Sequence, residues 1–250
     1  MVNYNISYIY YIFIGGIKVM IYLMGDIHGD YKRFQKMLRK IKFSNDDKLY
    51  ILGDIIDRGI ENLEMLKFCM NSSNIALIKG NHEYFMQLYL EDSNLTTSNW
   101  SKWGGQNTIE ELKNISTEEK EMFLNYLRSL PYYIEIDEFD IKYTLTHTGY
   151  DADVEPIINE NGKVDIKQTI EKSIKYNEFN YLISSDIHYI PAGIKFDRYL
   201  IVGHHPTIKY GENKIMKNKR YMNIDCGNGF REDGGKLSCI CLDTKQEWYI

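Results

Sequence analysis

The sequence predicts an α/β protein, because its first third repeats one pattern three times: an apolar run, a polar loop and an amphipathic helix. The second half of the chain contains several short β-type runs, which indicates that further strands follow these repeats. No internal repeat or low-complexity linker divides the chain, and 250 residues with 44% hydrophobic content can form one sizeable core. We therefore expect a single α/β domain.

The three repeats account for the first strands and helices. Strands are predicted at 19–24, 48–52 and 74–78, each followed within two residues by glycine and a polar cluster. Helices with apolar residues at helical spacing come next, at 31–41, 61–70 and 83–90.

Beyond the repeats, Ser116 and Glu119 form a predicted capping box for a helix that Pro131 ends near Leu130. The later strands are predicted in six segments: 132–136, 141–147, 198–205, 221–227, 236–243 and 247–250. The last two segments are expected to form a hairpin around Thr244. Residues 151–181 are polar without a clear period, so an irregular surface insertion is expected there.

The composition is that of an ordinary soluble protein with an acidic balance. A net charge of −5 argues against non-specific nucleic-acid binding, which needs a basic surface. It does not exclude an anionic substrate, because a bound cation can reverse the local charge. The four cysteines form no C-x-x-C pair, which favours reduced, buried thiols in a cytoplasmic protein.

Residues 1–19 precede the first predicted strand, and we interpret them as an extension of a domain that covers residues 20–250. They carry no charge before Lys18, which raises a membrane anchor as an alternative. The segment has two asparagines and no basic start, whereas a spanning helix needs ~20 predominantly apolar residues. A second alternative is a natural start at Met20, and membrane binding is not expected.

Polar, chemically reactive residues follow the predicted strands. They are Asp26 and His28; Asp54, Asp57 and Arg58; Asn81 and His82; His147; and His204 and His205. The carboxyl ends of strands are where α/β sheets bind ligands, so these residues can converge. Carboxylate, imidazole and amide groups suit divalent ions, and the set is too large for one tetrahedral ion. Two ions that share a carboxylate fit better, with Arg58 available for phosphate oxygens.

In order along the chain, these motifs resemble those of the calcineurin-like metallophosphoesterases: GD-x-HG at 25–29, GD-x-x-DRG at 53–59, GNHE at 80–83, H-x-G at 147–149 and GH at 203–204. The DRG ending and the segment WSKWGGQNT at 100–108 are similar to the phosphoprotein phosphatase branch. Its bacterial and phage members include small serine/threonine protein phosphatases and symmetrical diadenosine tetraphosphate hydrolases. The resemblance begins near Met20, is weak over 150–195, and implies an α/β sandwich of two β-sheets flanked by helices.

The resemblance also implies a role for each site residue. Six residues are implied as metal ligands: Asp26 and His28 for a first ion, Asp54 for both ions, and Asn81, His147 and His204 for a second ion. His82 is implied as the proton donor to the leaving group, oriented by Asp57, and Arg58 as a phosphate ligand. The nucleophile would be a water with a lowered pKa, so no covalent phosphoenzyme is expected.

Two positions depart from the family pattern. His205 follows His204 where threonine is usual, so one of these histidines is expected to ligate while the other packs or faces the substrate. The family's second phosphate-binding arginine is missing from 181–193, where His188 is the candidate substitute, and Arg198 lies nearby only in sequence. Trp100 and Trp103 are compatible either with the core or with a pocket wall.

The sequence therefore predicts hydrolysis of phosphate monoesters with the help of two divalent metal ions. Mn²⁺ is the expected metal, and Fe and Zn are the alternatives. A small serine/threonine-type protein phosphatase acting on a phosphorylated protein is the main interpretation. One alternative is a symmetrical dinucleoside polyphosphate hydrolase with a nucleotide substrate. Another is a weakly active metal-binding regulatory protein that holds phosphorylated partners. A nuclease is disfavoured by the acidic balance and by the DRG motif.

Overall fold

The first sheet combines three strands from the first third of the chain with two strands near its C-terminus. The computed structural model describes residues 19–91 and 99–250. Five strands form this sheet in the order β10-β9-β1-β2-β3. They are β1 (Ile21–Met24), β2 (Lys48–Ile51), β3 (Ile75–Leu77), β9 (Ser238–Cys241) and β10 (Glu247–Tyr249). Strands β1, β2 and β3 are parallel, whereas β9 is antiparallel to both β1 and β10.

The second sheet is built from the C-terminal half in the order β4-β5-β6-β8-β7. Its strands are β4 (Tyr133–Glu138), β5 (Ile141–Thr146), β6 (Tyr199–Val202), β7 (Met216–Lys217) and β8 (Tyr221–Asn223). Strands β5, β6 and β8 run parallel, and β4 and β7 pair antiparallel at the two edges.

Helices connect and flank these strands. They are α1 (Tyr31–Ile41), α2 (Asn62–Asn71), α3 (Asn81–Glu91), α4 (Gln106–Lys113), α5 (Thr117–Ser129) and α6 (Ile166–Ser184). Asp30 caps α1 by accepting a hydrogen bond from the backbone N–H of Arg33, and the predicted capping box of α5 is present. The predicted hairpin around Thr244 is the β9–β10 pair.

Alternation along the strands divides the core into layers. In β1, Ile21 and Leu23 face a core shared with the second sheet, while Tyr22 and Met24 face the helices. Residues of both sheets fill the shared core, which places the two sheets face to face. The predicted sandwich of two β-sheets flanked by helices is therefore confirmed.

The prediction of an irregular insertion at 151–181 holds for residues 151–165 and is wrong for residues 166–181. Residues 166–184 form α6, a helix interrupted at Asn177, which packs through Ile166, Ile170 and Tyr181 against the outer face of the second sheet. Thr169 and Ser173 lie on the buried side of α6, and the interruption shifts the helical register. Because of both features, the apolar residues of this segment do not recur at regular helical spacing in the sequence.

All four cysteines are free and buried, as expected for the thiols, and the cytoplasmic location stays a prediction. Within residues 19–91 and 99–250, no helix is long and apolar enough to cross a membrane. The interpretation of residues 1–19 as an extension falls, apart from Val19, outside the described residues.

Candidate metal and phosphate site

The ends of parallel strands from both sheets meet at one place. The segment after β1 supplies Asp26 and His28, and the loop after β2 supplies Asp54, whose Oδ2 lies 3.4 Å from Nε2 of His147 beyond β5. The backbone N–H of His204, beyond β6, donates to Oδ1 of Asp26 at 3.2 Å. The site is therefore a junction between the two sheets, as expected for the carboxyl ends of parallel strands.

Two groups of potential ligand atoms share one carboxylate. In the first group His28, Asp54 and His82 place ligand atoms within 4.8 Å of one another. In the second group Asp54, His147 and His204 do the same. Asp54 is common to both, which is the arrangement that two ions bridged by one carboxylate require.

Two more of the predicted ligands border these groups. Oδ2 of Asp26 lies 3.9 Å from Nε2 of His28, beside the first group. Oδ1 of Asn81 lies 2.9 Å from Nε2 of His147, beside the second group. All six predicted ligands are thus brought together, and His82, which belongs to the first group, is an additional candidate ligand.

Backbone carbonyl groups orient three of the histidines. Nδ1 of His28 lies 3.2 Å from the carbonyl of Ile56, and Nδ1 of His147 lies 2.6 Å from the carbonyl of Leu52. Nε2 of His204 lies 3.1 Å from the carbonyl of Ile183. In each ring the opposite nitrogen faces the site. Fixing one nitrogen in this way sets the tautomer and aims the other at an ion.

The electrostatics of the site fit a bound cation. Oδ2 of Asp26 is buried and has no hydrogen-bond partner among the described residues. Burial, followed by the nearby carboxylate of Asp225, raises the pKa of Asp26 well above its usual range. Burial likewise raises the pKa of Asp225 to about 6. Buried carboxylates that repel each other and an acceptor without a donor are both stabilised by a divalent ion.

The histidines next to Asp54 respond in the opposite sense. Burial alone would lower the pKa of His147, but the carboxylates of Asp54 and Asp26 outweigh it and raise that pKa to about 10. Burial would raise the pKa of Asp54, yet the imidazoles of His147 and His82 hold it well below its usual range. Without an ion, protonated imidazole balances the shared carboxylate, and an ion would take over that charge.

His82 and Asp57 form a buried pair next to this centre. Nδ1 of His82 lies 2.5 Å from Oδ2 of Asp57. Asp57 also accepts hydrogen bonds from the indole N–H of Trp100 and the hydroxyl of Thr108, so its carboxylate is fixed on both oxygens. Burial alone would lower the pKa of His82. The carboxylates of Asp54 and Asp57 outweigh this effect, and the pKa of His82 is raised. Nε2 of His82 is left 3.4 Å from Nη2 of Arg58.

Arg58 is held by its backbone and by an aromatic ring. Its N–H donates to the carbonyl of Gly104 at 2.9 Å, and its guanidinium lies 4.5 Å from the ring centre of Phe230. Gly104 has φ of 102°, and a Cβ there would lie 2.6 Å from Cγ of Arg58. Glycine is therefore required both for the left-handed backbone and for the approach of the arginine.

Several site residues adopt a left-handed backbone. Their φ values are 52° at His28, 52° at Asp54, 73° at Asp57, 63° at Arg58 and 69° at His204. Such conformations are costly for residues with a side chain and concentrate at functional sites. Hydrogen bonds from neighbouring segments hold these backbones in place. For example, the backbone carbonyl of Asp54 accepts the N–H groups of Ile27 and His28 at 3.0 and 2.9 Å.

Glu83 supports the loop of Asp54, a role that the sequence analysis did not assign. Its buried carboxylate accepts the backbone N–H groups of Asp54, Ile55 and Gly80 at 2.7, 2.9 and 2.9 Å. Burial, followed by the charge of Asp54, raises the pKa of Glu83 to about 7. Its place at the end of GNHE was visible in the sequence, but its contacts depend on how two loops meet. Asp225 and Phe230 were missed for the same reason.

The remaining predicted residues are placed as follows. His205 is 21% exposed and its Nε2 lies 3.1 Å from the carbonyl of Ser185. His188 has both ring nitrogens occupied, Nδ1 at 2.6 Å from Asp186 and Nε2 at 3.3 Å from Asn223. Asp186 also lies 3.8 Å from Nε2 of His205, so it connects the two histidines.

The structure also places the three remaining residues that the sequence left uncertain. Arg198 points away from the site and donates to the side chain of Asp137 and the carbonyl of Tyr143. Trp100 belongs to the core and is fully buried, whereas Trp103 is 39% exposed and packs on Phe85.

Comparison with known proteins agrees with this geometry. A family model described as calcineurin-like phosphoesterase matches residues 19–231. Serine/threonine-protein phosphatase 2 of Escherichia coli (strain K12) is 33% identical over 133 residues, 52% of this chain and 58% of that protein. A symmetrical bis(5'-nucleosyl)-tetraphosphatase of Erwinia tasmaniensis is 30% identical over 132 residues, 51% of this chain and 43% of that protein. These matches cover about half the length of each relative.

The fold has solved counterparts as well. A crystal structure described as that of a presumptive diadenosine tetraphosphatase superposes with a TM-score of 0.60. The superposition covers 95% of each chain at 14% sequence identity, so it supports the fold and not a substrate.

Proposed function

Since the chain belongs to the calcineurin-like phosphoesterase family, we propose that it is a metal-dependent phosphatase with a dinuclear centre. The observation that carries this proposal is the position of Asp54, which lies in both groups of ligand atoms. The buried, unpartnered oxygen of Asp26 supports it, because that atom fits a bound cation. A phosphate ester is the natural substrate of such a site.

The residues that would hold the ions are those predicted from the sequence. Asp26 and His28 would serve one ion, Asn81, His147 and His204 the other, and Asp54 both. Divalent ions held there would lower the pKa of a water and withdraw charge from phosphate oxygens. The nitrogen and oxygen ligands suit Mn²⁺ first, with Fe and Zn as alternatives.

The other site residues act on the phosphate and on the leaving group. Arg58 would bind phosphate oxygens through its two-pronged guanidinium. Its Nη2 lies 3.4 Å from Nε2 of His82, so a phosphate bound to Arg58 brings the leaving oxygen close to His82. His82 would donate the proton from Nε2, while Asp57 holds Nδ1 and stabilises the protonated ring.

His205 and His188 are both candidates for substrate binding from the sequence, and we propose different roles for them. We assign His205, which is partly exposed next to His204, to the substrate side of the site. His188 has partners on both nitrogens and would act through Asp186 to fix the segment whose Ser185 carbonyl holds His205. This arrangement replaces the bidentate arginine that the family pattern has at this place.

Two substrate classes are supported by the names of relatives. One relative is named a serine/threonine-protein phosphatase and another a symmetrical bis(5'-nucleosyl)-tetraphosphatase, at similar identity. A regulatory protein that binds phosphorylated partners without turnover is the third candidate. The buried Asp57–His82 pair disfavours it, because a binding protein has no need of a proton donor.

The proposal is tested by hydrolysis of p-nitrophenyl phosphate by chelator-stripped protein titrated with Mn²⁺, Fe²⁺ or Zn²⁺. We expect saturable, metal-dependent turnover that is lost in Asp54→Asn and kept in Asp46→Asn, which removes an exposed acid. Absence of turnover with every divalent metal, despite bound ions, would overturn the phosphatase proposal in favour of the phospho-binding protein.

A further inference from the structure

A cleft with a volume of about 380 Å³ lies in the second sheet, at the edge opposite to the candidate metal site. We call it the amino-end cleft, because its residues precede or begin the parallel strands β5, β6 and β8. Lys142 lies near the start of β5, whereas His147 follows its end, and five residues of extended strand span about 16 Å. The cleft is therefore separate from the candidate catalytic centre. Its charged lining residues are Asp140, Lys142, Asp197, Arg198, Lys219 and Arg220.

Cations predominate in the lining of the amino-end cleft, although the protein as a whole has a net charge of −5. Arg198 is neutralised, because its Nε lies 3.3 Å from Glu135 and its Nη2 donates to Asp137. Lys142 and Lys219 are exposed and form no ion pair with any residue of 19–91 or 99–250. Their two ammonium groups are available to a bound anion.

Arg220 is a rigidly held cation without a carboxylate partner. Its Nη1 donates to the carbonyls of Pro191 and Ile194 at 2.8 and 3.3 Å, and its Nη2 donates to the carbonyl of Ile190 at 3.1 Å. Its guanidinium carbon lies 5.3 Å from the ring centre of Phe196, which also lines the cleft. In the described part of the chain, no carboxylate pairs with Arg220 and no acceptor binds its Nε–H. The carbonyls orient the guanidinium without neutralising it, so Arg220 provides a fixed positive charge.

The two carboxylates of the cleft differ in their surroundings. Asp197 accepts the backbone N–H of Ile166 at 3.0 Å, so the positive end of α6 stabilises its charge. Asp140 is exposed in the turn between β4 and β5, and none of the described residues pairs with it. The three cations without a carboxylate partner, Lys142, Lys219 and Arg220, therefore outnumber the free carboxylate by two.

An excess of two positive charges in one cleft suits a doubly charged anion. A phosphate group carries a charge of about −1.5 to −2 at pH 7 and has three strong acceptor oxygens. These oxygens can be shared among the ammonium and guanidinium donors of Lys142, Lys219 and Arg220. A carboxylate has one charge and two oxygens, so it would satisfy fewer of these donors. The volume lies within the range of small-molecule sites, roughly 300–1,000 Å³, which leaves room for an organic group beside Phe196.

We propose that the amino-end cleft is a second, non-catalytic phosphate site, which binds free phosphate or the phosphate group of a small phosphorylated molecule. Lys142, Lys219 and Arg220 would hold the phosphate oxygens, and no bond is made or broken in the cleft. The proposal goes beyond the proposed function and does not depend on it, because these three residues have no part in the catalytic centre. A bound phosphate would link the segments before β5 and β8, and it should stabilise the second sheet.

Binding is measured by titration calorimetry with inorganic phosphate in the presence of chelator. The wild type is compared with Arg58→Ala, because only a site outside the catalytic centre keeps its affinity in that variant. We expect saturable binding of one phosphate per chain in Arg58→Ala. In that background, Lys142→Ala and Lys219→Ala should each weaken binding about tenfold, the loss of one charged hydrogen bond. Lys36→Ala removes an exposed lysine of α1 outside the cleft and should leave binding unchanged.

Asp140→Asn provides a change of opposite sign in the same cleft. It removes a carboxylate that repels phosphate, and we expect phosphate binding to tighten about two- to fivefold. Asparagine also adopts the left-handed backbone that Asp140 has, with φ of 59°, so the turn should be kept. Absence of saturable phosphate binding in Arg58→Ala would overturn the proposal. Equal dissociation constants in Lys142→Ala, Lys219→Ala and Lys36→Ala would overturn it as well.

A sugar phosphate distinguishes the two sources of the phosphate group. Tighter binding of glucose 6-phosphate than of inorganic phosphate, weakened in Lys219→Ala, would support the site and identify a phosphorylated small molecule as its ligand. Equal binding of the two would support the site and identify free phosphate. Binding of glucose as tight as that of glucose 6-phosphate would overturn the proposal. Lys219→Ala loaded with Mn²⁺ should hydrolyse p-nitrophenyl phosphate at the wild-type rate, so failure of this proposal and failure of the proposed function are distinguishable.

Discussion

Contacts from neighbouring residues position the carboxylate of Asp54. Its carboxylate lies 3.4 Å from Nε2 of His147 and 3.8 Å from Nε2 of His82, and it accepts the backbone N–H of His82 at 3.0 Å. This N–H belongs to the first turn of α3, whose positive end favours a carboxylate. The residue has a left-handed backbone, so its neighbours, and not its own preference, hold it in position.

His82→Ala tests the assignment of the proton donor. We expect kcat to fall by ~10²–10⁴ for substrates with poor leaving groups, the usual contribution of general acid catalysis. The loss should be smaller for p-nitrophenyl phosphate, whose leaving group needs little protonation. Steady-state kinetics with both kinds of substrate, together with metal analysis, provide the measurement.

Two outcomes for His82→Ala would contradict the assignment. An equal loss for all substrates would exclude proton donation to the leaving group. Loss of one ion would make His82 a ligand with His28 and Asp54, which lie within reach of it.

For individual residues, the sequence predicted which side chains of the candidate site lie together. It did not predict the hydrogen bonds that hold those side chains in position. Each motif follows a strand, and because parallel strands end at one edge, convergence could be inferred. The support of Asp57 by Trp100 and Thr108 depends on how the segment near Gly105 packs, which no local pattern specifies. The occupied ring of His188 could not be foreseen either, because Asn223, the partner of its Nε2, comes from a distant segment.

Among the structural elements, the turn before α4 has the largest effect on the site. The segment Ser101–Gly105 is a wide helical turn interrupted at Gly104, which has φ of 102°. The carbonyl of Gly104 accepts the N–H of Arg58, so the turn fixes the backbone of the residue that we propose as the phosphate ligand. Trp100, just before the turn, reaches Asp57.

Gly104→Ala should therefore impair the site through Arg58. The new Cβ would clash with Cγ of Arg58, and we expect kcat/KM for p-nitrophenyl phosphate to fall at least ~10-fold, the loss of one charged hydrogen bond. Gly162→Ala is the matched control, because Gly162 has φ of 69° but no atom within 4 Å of an added Cβ. Gly162→Ala should lose about 1 kcal/mol of unfolding free energy, measured by urea denaturation, and Gly104→Ala should lose more because only its Cβ clashes. Equal kcat/KM in the two variants would contradict the role of the turn.

The elements themselves were predictable to different degrees. Helix α1 at Tyr31–Ile41 has the predicted bounds, because its polar and apolar faces are clear and Asp30 caps it. Helix α6 was missed, because Asn177 interrupts it and polar Thr169 and Ser173 lie on its buried side. Local periodicity identifies an element only where one face is uniformly apolar.

At the scale of the whole molecule, the site exists only because two sheets face each other. The first sheet provides Asp26, His28, Asp54 and Asn81, and the second provides His147 and His204. The shared core under them contains Leu23 and Leu52 from one sheet and Leu145 and Ile201 from the other. Sheet packing is thus a condition for metal binding, and metal binding should in turn stabilise the packing.

Removal of residues 1–18 tests the proposed domain boundary. The central strand β1 begins at Ile21, and the backbone N–H of Met20 donates to Asp47 at 3.1 Å, so this deletion keeps both the strand and that hydrogen bond. We expect metal-dependent turnover within about twofold of the full chain. Removal of residues 1–24 deletes β1 and should abolish folding. Loss of the folded circular dichroism spectrum in the shorter deletion would show that the extension is part of the fold.

Metal stoichiometry shows directly whether Asp54 bridges two ions. Chelator-stripped protein is reloaded with Mn²⁺, dialysed and analysed by plasma mass spectrometry, in the wild type, Asp54→Asn and the surface control Asp46→Asn. We expect two ions per chain in the wild type and the control, and fewer than one in Asp54→Asn, since both groups of ligand atoms contain Asp54. Two ions retained by Asp54→Asn, or a single ion in the wild type, would contradict a dinuclear centre bridged by this carboxylate.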